Sequence, residues 1–226
     1  MGRRSRDDRQ SDDNLPESLV AYAERRIKAA ITEGTIPPGS RLSAQKLAAE
    51  FGLSHIPIRE ALTALAASGW VVHDRGRGFF ARELSSEDLL DIYHWRAVLE
   101  REALIMAVPK LTDDDIAEMK HLQDQMAEHL SSEDRLKYLE LNRQFHFVPF
   151  RRAGSRRLVR MLNYLWDSAQ PYTSLGESDS TKGYKEHIKL IQLLAKKDTE
   201  GAIRAIDAHR RVRTDVVARW EAERKR

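Results

Sequence analysis

The sequence predicts a mainly α fold in two parts: three helices with a short hairpin, then an antiparallel all-α bundle of about six helices. Three observations predict it. Apolar residues recur three or four positions apart through most of the chain, the period of a helix with one buried face. Only residues 70–81 carry short strand-like runs, Trp70-Val71-Val72 and Phe79-Phe80-Ala81, on either side of Asp74-Arg75-Gly76-Arg77-Gly78. Helix-starting and helix-breaking residues then divide the stretch after residue 85 into six segments.

Residues 1–14 are charged and have no large apolar side chain beyond Met1, so they are expected to form a disordered tail. The first unit spans 15–82. Leu19, Ala23, Ile27 and Ile31 give its first helix an apolar face; Gly34 stops it, and Pro37-Pro38-Gly39 turns the chain. Ser43 caps a short second helix, Ala44 to Glu50, with Leu47 and Phe51 inward. Gly52-Leu53 makes a tight turn, Ser54 caps a third helix that runs to Ser68, and Gly69 ends it. A short helix, a glycine turn and a capped helix form the helix-turn-helix pattern, and the hairpin after it is a candidate wing.

The second unit spans 85–223, with helices expected near 86–108, 112–130, 133–151, 155–171, 180–197 and 199–223. Ser86, Thr112, Ser132, Ser155 and Asp198 mark starts, and Pro109, Gly154, Pro171 and Gly176 mark breaks. Residues 172–180 read as a mobile loop. A bundle of this size buries its own core.

Composition sets bounds on function. The chain has 226 residues, 41% hydrophobic and 32% charged. Its net charge of +3 is too small to argue for nucleic acid on its own, so the placement of charge has to carry that case. There is no cysteine, so a metal would be held by nitrogen and oxygen. The longest apolar run, Ala103 to Val108, is far too short to span a bilayer, so no membrane association and a cytoplasmic location are expected.

Two sets of residues carry chemistry. Ser54, His55, Ile56 and Arg59 stand at the start of the third helix, where a recognition helix meets base edges and phosphate; Arg75 and Arg77 tip the wing. Ordinary solvated arginines on a three-helix domain would give the same spacing. In the bundle, Asn142 and His146 lie one turn apart, and His187 and His209 are each 11 residues from a turn at Asp198, which sets them level on antiparallel helices. Three neutral imidazoles at one height suit zinc, nickel or manganese and leave a position open. Each could equally be a hydrogen-bonded core histidine.

Arg41-Leu42-Ser43, Leu47-Ala48, Phe51-Gly52-Leu53-Ser54, Pro57-Ile58-Arg59-Glu60-Ala61-Leu62 and Gly69-Trp70-Val71 resemble the winged helix of the GntR transcription-factor family. The resemblance implies that Gln45, Ser54, His55, Arg59, Arg75 and Gly76 lie at the DNA. The family commonly has arginine at the positions of Gln45 and His55, and threonine at that of Ile56. Residues 86–215 resemble the FCD effector domain of the FadR-like branch, whose metal-binding members carry Asp-x-x-x-His and two later histidines. Asn142, His146, His187 and His209 match in order, with asparagine where aspartate is usual. Arg96-Ala97-Val98-Leu99-Glu100 resembles the Arg-x-x-Leu-Glu motif whose arginine helps bind an acidic effector; Tyr93, Asn163 and Trp166 are candidate lining residues. The resemblance thus implies a dimeric regulator of double-stranded operator DNA, more often a repressor, answering to a small organic acid. The rival readings are a metal-dependent hydrolase using Glu186 or Glu100 as base, and an architectural DNA-binding protein without ligand.

Overall fold

A computed structural model describes residues 17–83, 85–130, 135–175 and 180–224. The expected tail, Ser132 and Gly176 lie outside these residues.

Helix α1 (Leu19–Thr32) starts where the Ser18 hydroxyl accepts from the Ala21 amide at 3.1 Å. Ala23, Ile27 and Ile31 face inward as the spacing predicts, but Leu19 in the first turn is 58% exposed. Strand β1 (Arg41–Leu42) precedes α2 (Ala44–Phe51), which the Ser43 hydroxyl caps through the Lys46 amide at 3.3 Å. Gly52 closes α2 in the left-handed region, φ +66°, a conformation that glycine adopts without a Cβ penalty. Helix α3 (His55–Ala67) and strands β2 (Val71–Asp74) and β3 (Gly78–Ala81) complete the unit. The sheet is antiparallel in the order β1-β3-β2, with Arg41 opposite Phe80 and Val72 opposite Phe80 from the other side. Ile27, Ile58, Leu62, Leu65, Trp70 and Val71 form the core between α1, α3 and the sheet.

The second part is built from α4 (Ser86–Ala107), α5 (Asp113–Glu128), α6 (Arg135–Arg151), α7 (Arg156–Ala169), α8 (Ser180–Ala195) and α9 (Thr199–Arg224). Local chemistry fixes their starts. Ser85, one residue before the expected start, caps α4 through Asp88 N; Thr112 and Asp115 form a reciprocal capping box on α5; Ser155 and Asp198 cap α7 and α9. A second core gathers Leu104, Met119, Met126, Phe145, Phe150, Leu162 and Leu194 from α4 to α8, closed by Ala202, Ile203 and Ile206 of α9.

The expected loop at 172–180 is corrected over its first part. Residues Gln170–Leu175 continue α7 as a 3-10 turn; 176–179 lie outside the described residues. Tyr172 decides this. Its ring is buried beside Leu89, Ile92 and Ala169, and its hydroxyl donates to Asp88 at 2.5 Å. Burial and the Asp88 carboxylate push the phenol up to about 12. Arg82, at the end of the hairpin, grips the same carboxylate at 2.8–2.9 Å.

The two parts touch closely. A Cβ built on Gly69 (φ +80°) would lie 2.6 Å from the Ser168 hydroxyl of α7. The 3-10 turn packs on α1.

Candidate functional site

His146 of α6, His187 of α8 and His209 of α9 converge in the bundle. Ring centroids lie 5.0 Å (146–187), 5.3 Å (146–209) and 4.9 Å (187–209) apart, and one ligand atom from each falls within 4.8 Å of the others. The symmetric placement about Asp198 brings His187 and His209 level, with Lys197 turning the chain at φ +56°.

Their neighbours fix which nitrogens point inward. Gln123 of α5 donates its amide N–H to the Tyr184 carbonyl at 3.0 Å, so its oxygen must face His187 Nδ1, 3.1 Å away. His187 Nδ1 is therefore the protonated nitrogen, and Nε2 carries the lone pair. Glu186 sits 2.7 Å from His209 Nδ1 and orients that ring in the same sense. His187 Nε2 lies 3.2 Å from His146 Nε2. Two lone pairs cannot face each other there; a shared proton or a cation must lie between them. His146 Nδ1 is buried and has no hydrogen-bond partner among the described residues. Burial first, then the positive field of the other histidines, holds His146 well below its ordinary value; burial and His209 do the same for His187. Both imidazoles are thus neutral near neutral pH, as metal ligation requires. The donor set fits a divalent ion of zinc, nickel or manganese type.

A cavity of about 70 Å³ opens beside the cluster, lined by Tyr93, Arg96, Glu100, Leu139, Asn142, His146, Trp166, Ala169, Gln170, Ile206, His209 and Arg210. Glu100 anchors its wall. The carboxylate accepts from Arg96 Nε (3.0 Å), the Trp166 indole (2.8 Å) and Arg210 Nη2 (2.6 Å). Burial alone raises this carboxyl; Arg96 and Arg210 together outweigh it and keep the group ionised. Arg96 lies 3.8 Å over the Trp166 ring and 5.1 Å from that of Tyr93. Glu100 takes only its Nε; the terminal amino groups make no hydrogen bond among the described residues.

Of the residues singled out in the sequence, Tyr93, Arg96, Asn142, His146, Trp166 and His209 line one cavity, and His187 stands behind it against His146. Arg96 and Glu100 form a buried ion pair, their side chains 9% and 2% exposed. Asn163 is not in the lining. Its oxygen accepts from Arg143 and its nitrogen donates to the Val159 carbonyl at 2.8 Å, on another face of α7. Sequence reasoning missed Arg210, Gln123 and Glu186 as partners. Arg210 follows Ile206 by one turn, and Gln123 follows Met119 by one turn, so each sits on an inward stripe where a polar residue needs a partner.

In the N-terminal part, Gln45, Ser54, His55, Ile56, Arg59, Arg75, Gly76 and Arg77 are all exposed. Ser54 occupies the N-cap position of α3, but its hydroxyl makes no capping hydrogen bond. Arg77 pairs with Asp74 at 3.3 Å and lies over Phe80 at the hairpin. Ile56 is 69% exposed.

Residues 19–81 match the model of the bacterial regulatory proteins of the gntR family, and 91–212 match the FCD domain. The chain belongs to the GntR family. It is 30% identical to the HTH-type transcriptional regulator McbR of Escherichia coli over 81% of this chain and 86% of that protein. It is also 30% identical to the HTH-type transcriptional repressor GlaR of E. coli, over 69% and 71%. The solved structure of E. coli McbR/YncC superposes with a TM-score of 0.74 over 90% of this chain and 99% of that one, at 24% identity, which supports the fold. The chain is a GntR-family transcriptional regulator with an FCD domain, and families and relatives alike are regulators rather than enzymes. The geometry agrees: Glu100 is fully engaged by three donors and Glu186 by His209. Among the described residues, no helix is long and apolar enough to cross a membrane.

Proposed function

We propose that this GntR regulator is a homodimeric repressor whose affinity for double-stranded operator DNA is set by a small carboxylate. The acid would be held between Arg96 and a divalent ion on His146, His187 and His209, with Asn142 as a further donor. One observation carries this reading: the three imidazoles adjoin a small cavity into which Arg96 offers uncommitted amino groups. A guanidinium grips a carboxylate through paired hydrogen bonds. The ion, when bound, supplies a positive anchor for the acid's oxygens. Arg210 backs Glu100 so that Arg96 keeps its place. The acid can shift DNA affinity only by as much as it prefers one placement of the DNA-binding part.

Ser54, His55, Ile56 and Arg59 would meet base edges and Gln45, Arg75, Gly76 and Arg77 the adjacent backbone. The 69% exposure of Ile56 supports this, since an apolar side chain at the tip of a recognition helix suits a thymine methyl. Dimerisation is supported by Val98 and Ile105, two turns apart on α4, and by Met161 of α7, each at least 42% exposed. The test is binding to the promoter beside its own gene, with and without chelator, across a thermal-shift panel of carboxylic acids. An acid should raise the melting temperature of metal-loaded protein and change operator affinity. If no acid does either, and chelation only destabilises the fold, the ion is structural and the sensor reading fails. Arg59→Ala should weaken operator binding by about 1–3 kcal/mol.

A further inference from the structure

We propose that Asn142 makes metal and acid binding mutually dependent in this chain: the protein gives the ion no negatively charged ligand, and the acid's carboxylate supplies that charge. The inference rests on the reading above and concerns only what Asn142 does to it.

The candidate ligands are three imidazoles and one amide, none of which brings a negative charge. Asn142 lines the same cavity as His146, one turn before it on α6. The one carboxylate on the cavity wall, Glu100, is held by Arg96, Arg210 and the Trp166 indole and is turned to them. Two further carboxylates stand outside the lining: Glu186 bonds the outer nitrogen of His209, and Asp207, its side chain 42% exposed, pairs with Arg210 at 2.8 Å. The lining therefore holds two guanidiniums against one carboxylate, a surplus of one positive charge before any ion enters. A dication raises it to three; Glu186 offsets one from behind a ring and Asp207 a second from behind Arg210, which leaves a surplus of one positive charge. Like charges gathered in a buried space disfavour one another strongly. An acid lying between Arg96 and the ion removes that cost for both. By linkage, whatever factor the acid adds to metal affinity, the metal adds to acid affinity. A carboxylate at position 142 would supply the charge permanently and uncouple the two events.

The experiment is competitive zinc titration of the full-length, chelator-stripped protein, in acetate and in perchlorate at equal ionic strength. Acetate is the probe because it is a carboxylate small enough for the cavity. The expected result is zinc binding at least about tenfold tighter in acetate, within the roughly 5–150-fold usual for coupled sites. Asn142→Asp should bind zinc more tightly in perchlorate and lose most of the acetate gain. Asn142→Ala, which introduces no charge and guards against misfolding of the first variant, should keep the gain. Equal zinc affinity in the two salts, or a full acetate gain retained in Asn142→Asp, overturns the inference while leaving a metal site in place. Zinc binding in neither salt overturns the metal-dependent reading itself, and the inference with it. Acetate binding followed by NMR should strengthen with zinc by the same factor.

Discussion

Glu100→Gln is the most informative single substitution, because the geometry dictates how the amide must sit. Oε1 accepts from Arg96 Nε at 3.0 Å and from the Trp166 indole at 2.8 Å, so the amide oxygen has to stay there. The new NH2 group then faces Arg210 Nη2, now 2.6 Å from Oε2, donor against donor. One charge-assisted hydrogen bond becomes a repulsion; Arg96, its side chain 9% exposed, loses its counter-charge, and Arg210, equally buried, keeps only the half-exposed Asp207. Removing one partner of a buried ion pair costs about 3–5 kcal/mol. Urea denaturation at neutral pH should read a loss of that size, and acetate should recover part of it by entering between the arginines. A loss below about 1 kcal/mol, the worth of an exposed pair, would refute the claim that Glu100 organises this wall.

Three further outcomes follow from the geometry. Gly69→Ala places a Cβ 2.6 Å from the Ser168 hydroxyl at φ +80°; about 1–2 kcal/mol for the backbone and about 1–3 kcal/mol for overpacking should be lost in thermal denaturation. Adding Ser168→Ala should recover only the packing share, and an unchanged double variant would sink the close approach. Gln123→Met leaves His187 Nδ1 without its acceptor and should weaken zinc by about 10–100-fold, read by chelator competition; unaltered affinity would mean Gln123 does not orient the ring. The folded-state values of His146 and His187 lie below their ordinary value of 6.5, so below pH 6.5 the unfolded chain binds more protons than the native one. Stability of metal-free protein should be full above that pH and fall as pH drops through it, by up to about 1.4 kcal/mol per pH unit for each histidine. Flat denaturation midpoints between neutral and mildly acidic pH would contradict this.

Much of the fold was legible because helix ends are written locally. Ser43, Thr112, Ser155 and Asp198 satisfy amides three residues on, a signal that needs no tertiary context. Strand β1 was not legible, since two residues show no alternation and the pairing depends on β3 lying alongside. Tyr172 was missed because it follows the helix-breaking Pro171 and precedes the polar Thr173 and Ser174, while its partners Leu89 and Ile92 lie on α4. The histidines were found from helical arithmetic. Asn163 misled because it lies within one turn of Trp166 on α7, and only packing reveals that Arg143 engages it on another face. Arg210 escaped because an arginine on a long charged helix reads as solvated until Glu100 is seen across the bundle.

The segment from Trp166 to Tyr172 has a consequence of its own. Trp166, Ala169 and Gln170 look into the cavity; Ser168 abuts Gly69, and Tyr172 locks the strand-to-helix connection through Asp88. The cavity wall and the seat of the N-terminal part thus share one stretch of helix and 3-10 turn, residues 166–172. Under the proposed function, no chain of intermediaries would have to carry a message from the pocket to the reading head, because the helix that lines the one also abuts the other.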